Sequence, residues 1–171
     1  MQLNTLSRAT IDDLKYELSR MLADGIYDPS VQMMSQIAVA GQPDQIRAVY
    51  DFVKTNFPYV PDEQLRADHN LGSDGEFFTS PKRAAESYFN SQSLGFDCDC
   101  HSLLVASMLG SLGYNTRIAL IDLTFDGEPD HAIAEVFSPY MNGWIYVDTT
   151  DDYRLGWGRP GISQEVYVEG V

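Results

Sequence analysis

One segment constrains the fold more than any other. Leu103, Leu104, Val105, Ala106, Met108, Leu109 and Leu112, preceded by Cys98 and Cys100 and closed by Gly113, are apolar on nearly every side of a helix. A helix with no polar face has nothing to offer water, so the rest of the chain must enclose it. Asp97 is placed to cap its N-terminus, Asp99 adds negative charge to its first turn, and Gly113 is a natural left-handed terminator. Cys98 then stands at the helix start. There the partial positive charge and N–H groups of the helix end favour a thiolate over a thiol, the form that attacks a carbonyl, and the same N–H groups can hold an oxyanion.

Beyond this helix, Arg117 to Thr124 is rich in β-branched and apolar residues and Phe125-Asp-Gly-Glu-Pro129 is a turn signal, which predicts a strand and then a turn. His131 opens a second strand, His-Ala-Ile-Ala-Glu-Val-Phe; Ser138 to Gly143 breaks it, and a third begins at Trp144. In an antiparallel pair centred between Pro139 and Met141, the partner of His131 falls between Val147 and Asp151, which puts Asp148 within about one residue of being opposite it. A carboxylate there fixes the tautomer and orientation of the ring and stabilises the imidazolium that pairs with a thiolate. Cys98, His131 and Asp148 are therefore expected as nucleophile, base and orienting group.

Gly95-Phe-Asp-Cys98, followed by Ser102, Leu112-Gly113 and Arg117, resembles the nucleophile helix of the transglutaminase-like superfamily, a branch of the papain-like cysteine enzymes. In that family the Cys is followed by a small residue four positions on, Leu-Gly fourteen and fifteen on, and Arg nineteen on, spacings met here from Cys98 and not from Cys100. His131-Ala-Ile-Ala-Glu135-Val resembles the family's His-Ala-Trp-Ala-Glu-Val strand, and Gly143-Trp144-Ile-Tyr-Val-Asp148-Thr-Thr its Gly-Trp-x-x-Val-Asp-Pro-Thr strand. The departures are Ile133 for Trp, with an effect on the substrate groove, and Thr149 for Pro. The resemblance implies that Cys98 is the nucleophile. Upstream, Phe52-Val-Lys-Thr-Asn-Phe-Pro-Tyr-Val-Pro-Asp62 and Ser80-Pro-Lys-Arg-Ala-Ala-Glu86 resemble segments that precede the Cys in bacteriophage members, which implies a phage or bacterial origin.

Each of these residues also has a structural explanation. A single cysteine at a helix start is more often packing than chemistry, and it is the three matched contexts in order that favour catalysis. Cys100, about 200° round the helix from Cys98, cannot face the same histidine and is expected as a small core filler or a resolving thiol. His101 and His69 are expected as ordinary polar or partly buried residues. Glu135 shares a face with His131 by alternation and is open to three roles: a partner behind the histidine, an ion pair, or a solvated side chain. Trp144 and Tyr146 share a face with Asp148, as core or as groove walls. Cys98, Cys100, His101 and His131 are all metal-ligand types, but a helical Cys-x-Cys splays its thiolates and lacks structural-zinc spacing, so no metal is expected. No zincin, phosphate-loop or dinucleotide-binding motif occurs, which leaves no cofactor indicated.

At 171 residues, 44% of them apolar, the chain suits one compact domain, with a helical extension over 1–60 packed on a catalytic core over 61–171. No run approaches the length of a membrane span, and the N-terminus lacks the basic and apolar regions of a secretion signal. The expected location is the cytoplasm or a phage particle. Two cysteines one residue apart are poorly placed to pair with each other, which fits a reducing compartment. A formal charge of −14 argues against nucleic acid as partner and for basic peptide or protein surfaces.

The first half reads as helices. Thr10 with Asp13 resembles a capping arrangement, and Ile11, Leu14, Leu18, Met21 and Leu22 keep helical spacing until Gly25. Asp28-Pro29-Ser30 starts a second helix that ends before Gly41, Gln42-Pro43-Asp44 opens a third that Asn56 and Pro58 stop, and Ser80-Pro81 starts a fourth. Pro61 to Thr79 reads as a long loop, bordering the groove or simply the surface, and Glu165-Val-Tyr-Val as an edge strand.

The expected architecture is α+β: helices first, a central nucleophile helix, and an antiparallel sheet packed against it that carries His131 and Asp148, with a papain-like, transglutaminase-like core. The expected reaction is attack of the Cys98 thiolate on a peptide or side-chain amide, resolved by water in a peptidase or amidase, or by a lysine amine in a transglutaminase. Hydrolysis is favoured, because crosslinking needs a second site for an amine and no distinct motif supplies one. A structural or adaptor module bound to other virion proteins, and an amidase acting on cell-wall peptides, are the remaining readings.

Overall fold

A computed structural model describes residues 4–6, 10–61, 64, 76–92, 94–150, 154–158 and 161–166. Along the chain run β1 (Asn4–Leu6), α1 (Ile11–Tyr27), α2 (Pro29–Val39), α3 (Gln45–Asn56), β2 (Glu76–Phe78), α4 (Pro81–Phe89), α5 (Cys98–Ser111), β3 (Thr116–Asp122), β4 (His131–Ser138), β5 (Gly143–Val147) and β6 (Ile162–Val166).

Local chemistry sets most helix ends. Thr10 Oγ1 accepts the Asp13 N–H while the Asp13 carboxylate accepts the Thr10 N–H, a reciprocal capping box. Asp28, Asp44, Ser80 and Asp97 cap α2, α3, α4 and α5, with Pro29 and Pro81 in the first turn, where the missing N–H costs nothing. One stop differs from expectation: α1 runs through Gly25 to Tyr27. A Cβ on Gly25 would stand 2.4 Å from Ser107 Oγ and 2.8 Å from Pro81, so this glycine serves the close approach of α1 to α4 and α5 rather than a turn.

Every residue of α5 from Asp99 to Gly110 is buried, and α1 to α4 pack on it together with β3 and β4. Full burial of side chains such as Leu103, Leu104 and Leu109 contributes about 1.5–3 kcal/mol each relative to exposure. The four-stranded sheet has the order β5-β4-β3-β6 and is antiparallel throughout. Alternation divides its faces. Ala132, Ala134 and Val136 join the main core with α5, while Ile133 meets Ala119 and Ile121 in a smaller cluster. The fold is α+β with a helical N-terminal half, as the sequence leads one to expect.

Two strands were not anticipated. β1 and β2 form a separate antiparallel pair with Asn4 opposite Phe78, and β2 lies inside what reads as loop up to Thr79. Strands of three residues are too short for alternation to register. Most of that stretch, His69 included, lies outside the described residues. β6 is the edge strand foreseen near Glu165, but it begins at Ile162; Tyr167 and Val168 lie outside the described residues. Among the described residues no helix is long and apolar enough to cross a membrane.

Candidate active site

His131 and Asp148 meet at the open end of the β4–β5 hairpin, with the ring Nε2 2.9 Å from Asp148 Oδ2. The register falls within the expected range, although Asp148 stands two residues, rather than one, from the position opposite His131. Ala134 pairs with Val147, and extending that ladder would put position 150, not Asp148, opposite His131. β5 ends at Val147 because Asp148 turns the chain. Its Oδ1 accepts the Thr150 N–H at 3.0 Å and the Thr150 hydroxyl at 2.6 Å. The carboxylate thus leaves the ladder and reaches back to the ring. Burial would raise this carboxyl, but the hydrogen bonds from His131 and Thr150 outweigh it and hold Asp148 below the usual carboxylate range. Asp148 is therefore charged at neutral pH, with Oδ1 committed to Thr150 and Oδ2 to His131.

Cys98 enters from α5. As a residue it is partly exposed, but its thiol is packed against the Ala132 N–H, immediately beside His131. Because Nε2 of His131 is held by Asp148, Nδ1 is the ring nitrogen left to exchange a proton. One expectation is corrected here. The helix start does not favour the thiolate: burial pushes the Cys98 thiol well above its usual range, Asp99 and Asp97 push further in the same direction, and the Ala132 N–H pulls against them. Asp99 Oδ1 lies 3.8 Å from Sγ. Asp97 Oδ1 meanwhile accepts the Cys100 N–H at 3.1 Å, so the cap occupies one of the donors that the helix end would present. The signal was in the sequence, since both acids flank the cysteine. Burial and the full charges beside the thiol both oppose what the half charge of a helix end favours.

The remaining residues fall into place round this pair. Cys100 is buried and its sulfur accepts the Thr79 N–H at 3.2 Å, the role of a core filler. Glu135 takes the ion-pair role, against Arg117, whose guanidinium lies 4.2 Å from the Trp144 ring centroid. Trp144 packs edge-on to Phe137 towards the hairpin tip, and Tyr146 packs on the smaller sheet cluster. Ile133 is fully buried in that cluster and lines no open groove. The chain ahead of the nucleophile is clamped by residues 58–60. Val60 N–H donates to the Phe96 carbonyl and Phe96 N–H to that of Pro58, and a Cβ on Gly95 would stand 2.2 Å from Val60 Cγ2. His101, expected as an ordinary polar residue, is almost wholly buried with Nδ1 2.8 Å from Thr149 Oγ1. Among the described residues no group of three or more His, Cys, Asp or Glu side chains gathers to hold a metal ion.

Among solved structures the chain is similar to a candidate cysteine protease from Cytophaga hutchinsonii, at 18% identity and TM-score 0.49 over 85% of this chain and 46% of that one. It is also similar to a TGase, at 18% and 0.42 over 86% and 35% of the two chains. A candidate protease from Parabacteroides distasonis shares 9% identity at 0.48 over 92% and 32%. The chain spans less than half the length of each of these proteins. No curated protein matches it. The family model of the transglutaminase-like superfamily matches residues 32–149, a span that takes in α3, the helix of Cys98 and the strands up to Asp148. With well over half its length inside that match, the chain belongs to the transglutaminase-like superfamily.

Proposed function

We propose that the protein is a cysteine-nucleophile enzyme that cleaves peptide or amide bonds through a Cys98 thioester, with His131 as base and Asp148 as the orienting carboxylate. The observation that carries this reading is the 2.9 Å contact of His131 Nε2 with a buried, charged Asp148, made where the Cys98 thiol lies against the adjoining Ala132 N–H. The raised thiol shapes the mechanism. The resting nucleophile is a neutral thiol, and its proton moves from Sγ to Nδ1 of His131 as the carbonyl arrives. Asp148 stabilises the imidazolium, and the thiolate attacks the carbonyl carbon. The Cys98 N–H stands at the first position of α5, where a helix leaves its amides without intrahelical partners, and is the donor offered to the oxyanion. His131 then protonates the leaving amine, and water activated by the same ring releases the acid.

The test is site-mapped labelling by iodoacetamide between pH 5 and 9. His131→Ala is expected to slow Cys98 labelling by about 10²-fold or more, the scale of a lost general base. Equal rates in the two proteins would overturn the reading. Incubation with a glutamine-rich protein and a fluorescent primary amine then separates the acceptors. Water should compete with the amine, and stoichiometric amine incorporation would favour a transglutaminase.

The same proposal covers the organisation of the chain and its setting. Residues 1–60 form a helical extension on a core over 61–171, supported by the packing of α1, α2 and α3 on α5. The charge of −14 favours basic peptide or protein substrates. The likeness of residues 52–62 and 80–86 to phage sequences supports a bacteriophage or bacterial member, carried in a particle or acting in the cytoplasm.

A further inference from the structure

The mechanism uses two side chains at the end of the hairpin and leaves a third contact unexplained. His101 lies on the first turn of α5, three residues beyond Cys98, and is 1% exposed. Its partner Thr149 directly follows Asp148 and is 4% exposed. Two consecutive residues therefore each hold an imidazole: Asp148 holds that of His131 from β4, and Thr149 holds that of His101 from α5.

The His101 ring is built into its site. Phe96 and Tyr59 stand with ring centroids 6.1 and 6.2 Å away, and the Pro58 carbonyl also acts on the ring. Burial, against the pull of Pro58 and Asp148, lowers this histidine to about 4, so it is neutral at working pH with one N–H and one lone pair. Nε2 makes no well-formed hydrogen bond among the described residues. Nδ1 lies 2.8 Å from the Thr149 hydroxyl, and with the ring proton on Nε2 it accepts that hydroxyl. Thr149 itself has no ring to fix its backbone, unlike a proline. Its side-chain anchor is this hydrogen bond.

Resting on the cysteine-enzyme reading, we propose that His101 is a positioning residue: through the Thr149 hydroxyl it ties the segment that carries Asp148 to the helix turn that carries Cys98. The thiol and the carboxylate of the site then move as one body, while His131 reaches it from the strand between them. A geometry error of about 1 Å at such a site costs on the order of 10²-fold in rate, so a tie that suppresses it has a large kinetic effect.

The test uses the full chain with ¹⁵N-labelled histidine. In the native protein His101 should show the Nε2–H tautomer. Thr149→Val should move the titration midpoint of His131 and slow Cys98 labelling at neutral pH by about tenfold or more, Thr149→Ser should recover most of the rate, and adding His101→Phe to Thr149→Val should cost little further. Thr149→Ala supplies the same readings if Thr149→Val does not fold. A folded variant without the hydroxyl whose His131 midpoint and labelling profile are those of the native protein would overturn the proposal. Failure of the enzyme reading looks different: labelling indifferent to His131→Ala, with the His131 midpoint still responding to position 149.

Discussion

The β4–β5 hairpin carries a cation against a carboxylate in two places, and the two pairs behave differently. Towards the tip, Arg117 of β3 pairs with Glu135 of β4 and stacks on Trp144 of β5. The guanidinium never loses its proton, so this pair is a permanent tie across three strands. At the open end, His131 and Asp148 form a pair whose cation exists only when the imidazole has been given a proton. Both are buried contacts between neighbouring strands. One can only hold the sheet, and the other can also move a proton.

The largest expected effect would break the comparison at its open end. Asp148→Asn keeps the shape but removes the charge that stabilises the imidazolium. Cys98 labelling at pH 7 should fall by about 10²- to 10⁴-fold, with thermal unfolding changed far less than by loss of the Arg117 pair. Next is the permanent pair. Glu135→Ala leaves Arg117 buried against a missing carboxylate, which should cost about 3–5 kcal/mol, read as a fall of roughly 6–20 °C in Tm. In the protein that remains folded, the pH profile of Cys98 labelling should be unchanged; a shifted profile would show that the two pairs are coupled.

A second imidazole sharpens the contrast, because His101 is held without charge. Its folded value of about 4 lies below the ordinary 6.5, so the unfolded chain binds more protons between these values. The stability of the neutral ring is therefore fully present above pH 6.5 and is lost as pH falls towards 4, by about 3 kcal/mol in all. Urea unfolding midpoints across that range should show the slope, and His101→Phe should flatten it. The smallest effect lies outside all three histidine and arginine contacts. Gly25→Ala forces a methyl onto Ser107 and Pro81 and should cost about 1–3 kcal/mol with no pH dependence.

How much of this was legible depends on whether the determinant lies along the chain or across it. The buried helix from Cys98 and the strands from Thr116, His131 and Gly143 announce themselves by composition and period, as do the caps at Thr10, Asp28, Asp44 and Ser80. That Asp148 would meet His131 followed from the hairpin, but the Asp148–Thr150 turn, which ends β5 and brings the carboxylate back to the ring, did not. Gly25 reads as a stop until the helices it lets together are known. The His101–Thr149 bond joins residues 48 apart, and no local pattern marks it. The raised thiol was hidden for a similar reason: its largest cause is burial, which depends on packing across the chain, with Asp99 and Asp97 adding to it.

The hairpin tip offers one more consequence. Tyr140 is 98% exposed and Met141 68% exposed, at a turn beyond the last ladder pair, Ser138 with Gly143. Chain added there has open solvent to enter and no ladder pair to disrupt, while the ladder behind it keeps the spacing of His131 and Asp148. That loop is the natural grafting point for an affinity handle, a fluorophore or a whole guest domain that reports on the protein without touching its candidate site.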